Sequence, residues 1–448
     1  MNARWLRYLP GPLRRRLDNR HHLQQAVGNT GWLLADKIAK YVLGLVIGIW
    51  MARSLGPAQF GQFNYAIAYV ALFSSIATLG LDGIVVRDLV RSPDAKNLIL
   101  GSAFILKTIG SLLAIFLCIT SIFFVAPDHP QTRILVSIIA LGLIFQTFDV
   151  ADFWFQSRVA SKYTVIARMP SLFIFFGVRI FLIVGGASLA AFAWAQTLEL
   201  ALGAAGLAFA YRYLGNSIAK WRPVFTHSMA LIKESWPLIL AGLSVMLYMK
   251  IDIVMLGKIS GDKETGFYSA ASRLSEGFYF VPMIITSSLA PALLRARASG
   301  HVHYVQTMLK LYVLMARLSL AIAIPLAIAS PFLIEALFGN EYTESAAILR
   351  VHIWTATAVF LGVASSLYLT NEGLQKLSLY RTLIGLAVNI FLNLLLIPVY
   401  GAMGAAIATL ISYFIATFSI FITPLGAEQG RLMLRAMNPK IILGLKAI

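Results

Sequence analysis

The sequence predicts an all-α polytopic membrane protein with about twelve transmembrane helices in two six-helix bundles. Three observations carry this. The chain of 448 residues is 59% hydrophobic and only 12% charged, whereas a soluble domain is about 45–50% apolar and about 25% charged. Mean hydropathy is +0.78, and the apolar residues come in runs of roughly 20, the length that crosses a bilayer. Finally, the basic residues alternate between the two ends of successive runs.

Taken in order, the runs of the first half fall near 31–52, 61–80, 98–125, 134–152, 164–184 and 187–211. Those of the second half fall near 236–256, 267–291, 309–330, 346–368, 378–397 and 402–424. With the N-terminus in the cytoplasm, 24 Lys and Arg fall in inside segments. Only Arg53, Arg133, Lys258 and Lys263 fall outside. A wrong span count would scramble this alternation, so both termini are expected in the cytoplasm of an inner-membrane protein. The expected segments are a basic cytoplasmic N-terminal segment (1–29), a first bundle (30–213), a cytoplasmic linker (214–235), a second bundle (236–424) and a cytoplasmic tail (425–448).

Several function classes fall away. The net charge of +18 could suggest nucleic acid, but the cations flank apolar runs. The outside connections are too short for the folded loop of a membrane polymerase or ligase. The single Cys118 precludes an internal disulfide, and no CxxC pattern is present. "GSAFILKT" (101–108) lacks the Gly before Lys of a phosphate-binding loop and sits inside an apolar span. His301 and His303 form an HxH in a basic loop without an evident third ligand. No cofactor and no metal are expected. The ends interleave cations with apolar residues, the pattern of surface helices resting on anionic lipid.

The halves echo each other. "GASLAAFA" (186–193) and "GAMGAAIA" (401–408) open the sixth and twelfth spans. "WMARSLGPAQFGQFNYA" follows the first span and "VMLGKISGDKETGFYSA" the seventh, while "SKYTVIAR" (161–168) parallels "QKLSLYR" (375–381). Six spans per half insert with one orientation, so parallel repeats with a cavity between them are expected.

"ARSLGPAQFGQFNYA", "GLDGIVVRDLVR", "DFWFQSRVASKY" and "DIVMLGKISGDKETGFYSAASRLSEGF" resemble the Wzx-type oligosaccharide flippases of the multidrug/oligosaccharidyl-lipid/polysaccharide (MOP) superfamily. The resemblance spans about residues 28–424. It implies a V-shaped, MATE-like transporter, not an enzyme, that moves an undecaprenyl-diphosphate-linked oligosaccharide from the cytoplasmic to the outer leaflet for O-antigen, lipopolysaccharide or exopolysaccharide assembly. Membrane lipids, a polysaccharide polymerase and a chain-length regulator are the candidate partners. A proton- or sodium-coupled antiporter of small molecules is the alternative.

Charges within spans are expensive, about 2.5–3.5 kcal/mol at the bilayer centre on insertion scales, so they mark candidate sites. Lys37, Lys40, Lys107, Lys250, Arg273 and Arg317 are the expected substrate contacts, with Arg168, Arg179 and Arg350 as further intramembrane cations. Asp36, Glu199, Asp252 and Glu276 are the expected ion carriers. Asp36 and Lys40 are four apart and share a helix face, whereas Lys250 and Asp252 point roughly opposite ways. Arg168, near a span end, fits a snorkelling residue.

Overall fold

The computed structural model describes residues 21–442. The first helices in chain order are α1 (His21–Thr78), α2 (Asp82–Arg91), α3 (Lys96–Val125), α4 (Pro130–Leu141), α5 (Asp149–Ser157), α6 (Lys162–Val184) and α7 (Leu189–Tyr213). There follow α8 (Phe225–Ile259), α9 (Asp262–Glu276), α10 (Phe280–Ala298), α11 (His301–Phe338), α12 (Glu344–His352), α13 (Thr355–Asn371), α14 (Gln375–Phe418), α15 (Pro424–Ala436) and α16 (Pro439–Ile442). A 3₁₀ stretch, Gly142–Phe148, joins α4 to α5.

Among the described residues, ten segments are long and apolar enough to cross a membrane. Two of them hold two expected spans each. A straight helix of the 58 residues of α1 would be about 87 Å long, far beyond a hydrocarbon core of about 30 Å. It reverses at Gly56 (φ 70°, ψ 171°), just before Pro57, in a backbone region that only glycine enters readily. The 44 residues of α14 reverse likewise at Gly401 (φ 52°, ψ −131°), after Pro398. The loops expected there shrink to one glycine, and twelve spans remain.

The chain forms two compact units. One comprises the chain up to Gly48 together with Phe73–Leu243, the other Ile49–Leu72 with the chain from Ser244 onward. The first unit's core gathers Leu81, Val85, Leu100, Ala103, Phe155 and Tyr211, with Trp221 donating to the Tyr211 hydroxyl at 3.1 Å. The second's gathers Met308, Tyr312, Met315, Phe360, Leu361 and Leu369. Large apolar side chains such as Phe124, Phe181, Val184, Ile328 and Phe332 stay exposed, as lipid-facing positions should. The tail helix α15 buries Met433 and Ala436 in the second core, so its apolar face rests on protein, where lipid was expected. The basic segment before His21 lies outside the described residues.

Within the second unit, the turn after Gly56 and the start of α9 exchange the same contact. A Cβ on Gly61 would overlap the Asp262 carbonyl oxygen, and one on Gly266 would overlap that of Pro57. Each glycine lies four residues after the carbonyl its partner meets. Tyr342, fully buried beside them, donates to the Ala52 carbonyl at 2.9 Å and packs its ring edge-on against Phe60 and Phe267. Gly61→Ala and Gly266→Ala should each lose about 1–3 kcal/mol by overpacking. Both variants open one shared contact, so the double variant should lose less than the sum, as thermal unfolding of the purified proteins would measure.

Candidate functional site

In the first unit Asp36 accepts from Lys40 at 2.7 Å across one helical turn. Lys37, rotated off that face, is exposed. Lys40 also lines a 250 Å³ cavity with Gln146, Asp149, Arg168, Ser171 and Glu199. Arg168 donates to Asp149 Oδ1 at 2.5 Å, so it is a paired cavity residue where a snorkelling role was expected. Lys107 is fully buried, 3.8 Å from Asp149 Oδ2 and 4.9 Å over the Phe153 ring; its Nζ makes no hydrogen bond. Arg179 bridges Glu199 at 2.6 Å and Gln196 at 2.7 Å.

Asp149 is therefore one carboxylate shared by two cations. Sequence reading missed it, although "TFDVADFWF" carries it inside an apolar run. Removing one partner of a buried ion pair leaves an uncompensated charge. Asp149→Asn should thus cost roughly 3 kcal/mol, the low end for such pairs, since Asp149 retains some exposure. Adding Lys107→Met to Asp149→Asn should recover much of this loss. Folded yield and melting temperature in detergent would read both.

The second unit pairs its charges differently. Lys250 lies 3.6 Å from Glu276, and Arg273 stacks 5.8 Å over Phe60. Asp252, pointing the other way on α8 from Lys250, is 3% exposed. It accepts from Thr409 at 2.6 Å and Tyr268 at 3.1 Å on Oδ2, and from Asn393 at 2.6 Å on Oδ1. Asn393 also donates to Asn389 at 3.1 Å, and His352 reaches Tyr268 at 3.3 Å and Ser275 at 2.6 Å. No cationic side chain pairs with Asp252 among the described residues. Desolvating an ionised carboxylate is costly unless it is paired. The buried Asn393 Oδ1 lacks a hydrogen-bond partner. Carboxylate, amide and hydroxyl oxygens together suit a proton or a hard cation.

Arg317 stands apart. Its guanidinium donates to the carbonyls of Ile441 and Ile442, each at 2.9 Å, answering helix-end carbonyls that have no intrahelical partner. His301 lies 3.3 Å from Glu428, an acidic neighbour not evident from the HxH loop. No group of three metal-ligating side chains occurs among the described residues.

The fold defines a multi-pass membrane protein. The profile of the polysaccharide biosynthesis protein family matches residues 26–296, more than half of the chain, and the chain belongs to that family. A MatE profile matches residues 237–395. The probable flippase AglR of Haloferax volcanii is 25% identical, with 84% of this chain and 78% of the relative aligned. The probable low-salt glycan biosynthesis flippase Agl15 of the same organism is 23% identical over 82% and 77%. Among solved structures, an inward-facing multidrug resistance MATE family transporter of the MOP superfamily superposes at TM-score 0.70, 15% identity, covering 91% of this chain and 96% of that one. The lipid II flippase MurJ superposes at 0.68, 15% identity, covering 93% of each. These superpositions establish the MOP superfamily fold.

Proposed function

We propose that the protein is a flippase for lipid-linked oligosaccharides in the inner membrane, with both termini cytoplasmic. It would carry an undecaprenyl-diphosphate-linked unit from the cytoplasmic to the outer leaflet by alternating access. The observation that carries this reading is the polysaccharide biosynthesis family match over residues 26–296, in a chain whose first unit holds a cavity lined by Lys40, Arg168, Asp149 and Glu199. The relatives named as flippases support the same reading. A polymerase and a chain-length regulator would receive the glycan. The MatE match keeps small-molecule antiport as the second reading.

Two sources of energy fit the residues. Each negative charge leaving a negative cytoplasm gains about 2.3 kcal/mol per 100 mV. Of the four acids expected to carry an ion, Asp36, Glu199 and Glu276 have cationic partners. Asp252 has only neutral donors, and this makes it the carrier in this reading.

Depletion of the protein should accumulate lipid-linked sugar on the inner leaflet. Altered small-molecule resistance without that accumulation would favour the antiporter. In proteoliposomes, Asp252→Asn should keep the fold, because amide and neighbours remain hydrogen-bonded, yet lose the dependence of transport on an imposed proton or sodium gradient. A variant still driven as strongly by either gradient would remove Asp252 from the coupling role.

A further inference from the structure

The second unit holds a cavity of 270 Å³ that neither the sequence reading nor the proposed coupling site uses. Its walls include Tyr248, Tyr279, Met283, Gly362 and Tyr413, and Arg381 is the one charged residue lining it. Arg381 is 7% exposed. Its Nε donates to the Ala416 carbonyl at 3.2 Å and its Nη1 to the Ser365 hydroxyl at 2.9 Å. No carboxylate pairs with it among the described residues. A guanidinium that deep normally carries an acid partner.

The duplication shows what is missing. "SKYTVIAR" ends in Arg168 and "QKLSLYR" in Arg381. Arg168 pairs with Asp149, nineteen residues earlier. Nineteen residues before Arg381 stands Gly362, where a Cβ would lie 3.5 Å from Arg381 Nη2. The same spacing thus puts a carboxylate on one arginine and a glycine on the other, with Thr417 Oγ1 3.2 Å from where its Cβ would lie. The space left open is walled by aromatic rings: Tyr248 and Tyr413 stack at 4.7 Å and 28°, and Tyr279 is held by a 2.6 Å bond to Thr355.

We propose that this cavity is a subsite for an acidic sugar, a ring bearing a carboxylate or phosphate. The oxyanion takes on Arg381 the place that Asp149 takes on Arg168. Planar guanidinium–oxyanion pairing supplies orientation as well as attraction. The tyrosine faces pack the C–H face of the ring. The ligand's arrival at the site rests on the flippase reading, but the site itself does not.

The test is equilibrium binding to the full-length protein in nanodiscs, without transport, so it stands apart from the flippase reading. The probes are glucuronate, glucose, acetate and inorganic phosphate, followed by tyrosine and tryptophan fluorescence. Glucuronate should bind more tightly than each of the other three. Arg381→Gln should weaken it by about 10- to 100-fold, the range for a lost charged hydrogen bond. Gly362→Asp supplies an internal carboxylate to Arg381 and should abolish glucuronate binding in a folded protein. Gly362→Ala adds the same Cβ, 3.2 Å from Thr417 Oγ1, without charge, and should weaken glucuronate binding less than Gly362→Asp does. Glucose binding as well as glucuronate would overturn the oxyanion role. Acetate or phosphate binding as well as glucuronate, as an adventitious ion does, would overturn the sugar subsite. Unimpaired glucuronate binding by Gly362→Asp would overturn the assignment to this cavity.

Discussion

A charge inside the hydrocarbon must find its counter-charge within the protein or bring one from outside. That constraint organises both units. Without it, an arginine or aspartate at membrane depth would be several kcal/mol out of balance. The first unit meets it internally. Asp149 answers both Lys107 and Arg168, Glu199 answers Arg179, and Asp36 answers Lys40. The second unit meets it internally for Lys250 and Glu276. There Asp252 is left with neutral donors and Arg381 with a hydroxyl and a carbonyl.

The backbone obeys a matching rule. Helices that span hydrocarbon satisfy their own amides, so chain reversals fall at a few points where a single residue suffices. Gly56 and Gly401 are such points. The close approach at Gly61 and Gly266 belongs to the same economy of space. Small residues let backbone pack on backbone where no hydrophobic driving force separates helix from lipid. An added methyl group at either glycine would push apart two turns whose carbonyls already sit at contact distance.

Features written along one helix were legible in the sequence, and features joining different helices were not. Span number and the Asp36–Lys40 pair depend on local apolarity and on a four-residue spacing. The opposed directions of Lys250 and Asp252 follow from their separation of two, and the structure sends them to different partners. Asp149 meets Arg168 across helices, and nothing in the spacing of either announces the other. Arg168 therefore reads as a snorkelling residue from sequence alone. Arg317 looks central because it lies near the middle of its expected span, 309–330. Its partner is a carbonyl pair more than a hundred residues later in the chain. The one long-range signal available was the internal echo, which aligned Arg168 with Arg381 before either had a known neighbour.

That echo bears on how a duplicated transporter divides its work. A fixed carboxylate on an arginine holds two helices together at all times and leaves the charge unavailable to a ligand. Replacing the carboxylate position by glycine gives up that permanent bond and leaves a buried cation whose stability depends on what binds. Such a group rewards an oxyanion ligand twice, by direct attraction and by relief of desolvation. The uncompensated Asp252 in the same unit offers the complementary reward to a cation. A unit holding both is least stable with its sites vacant, and each correct ligand then lowers its free energy by more than the contact alone would. Ligand-dependent stability of that kind is what a carrier needs if its conformational equilibrium is to respond to cargo.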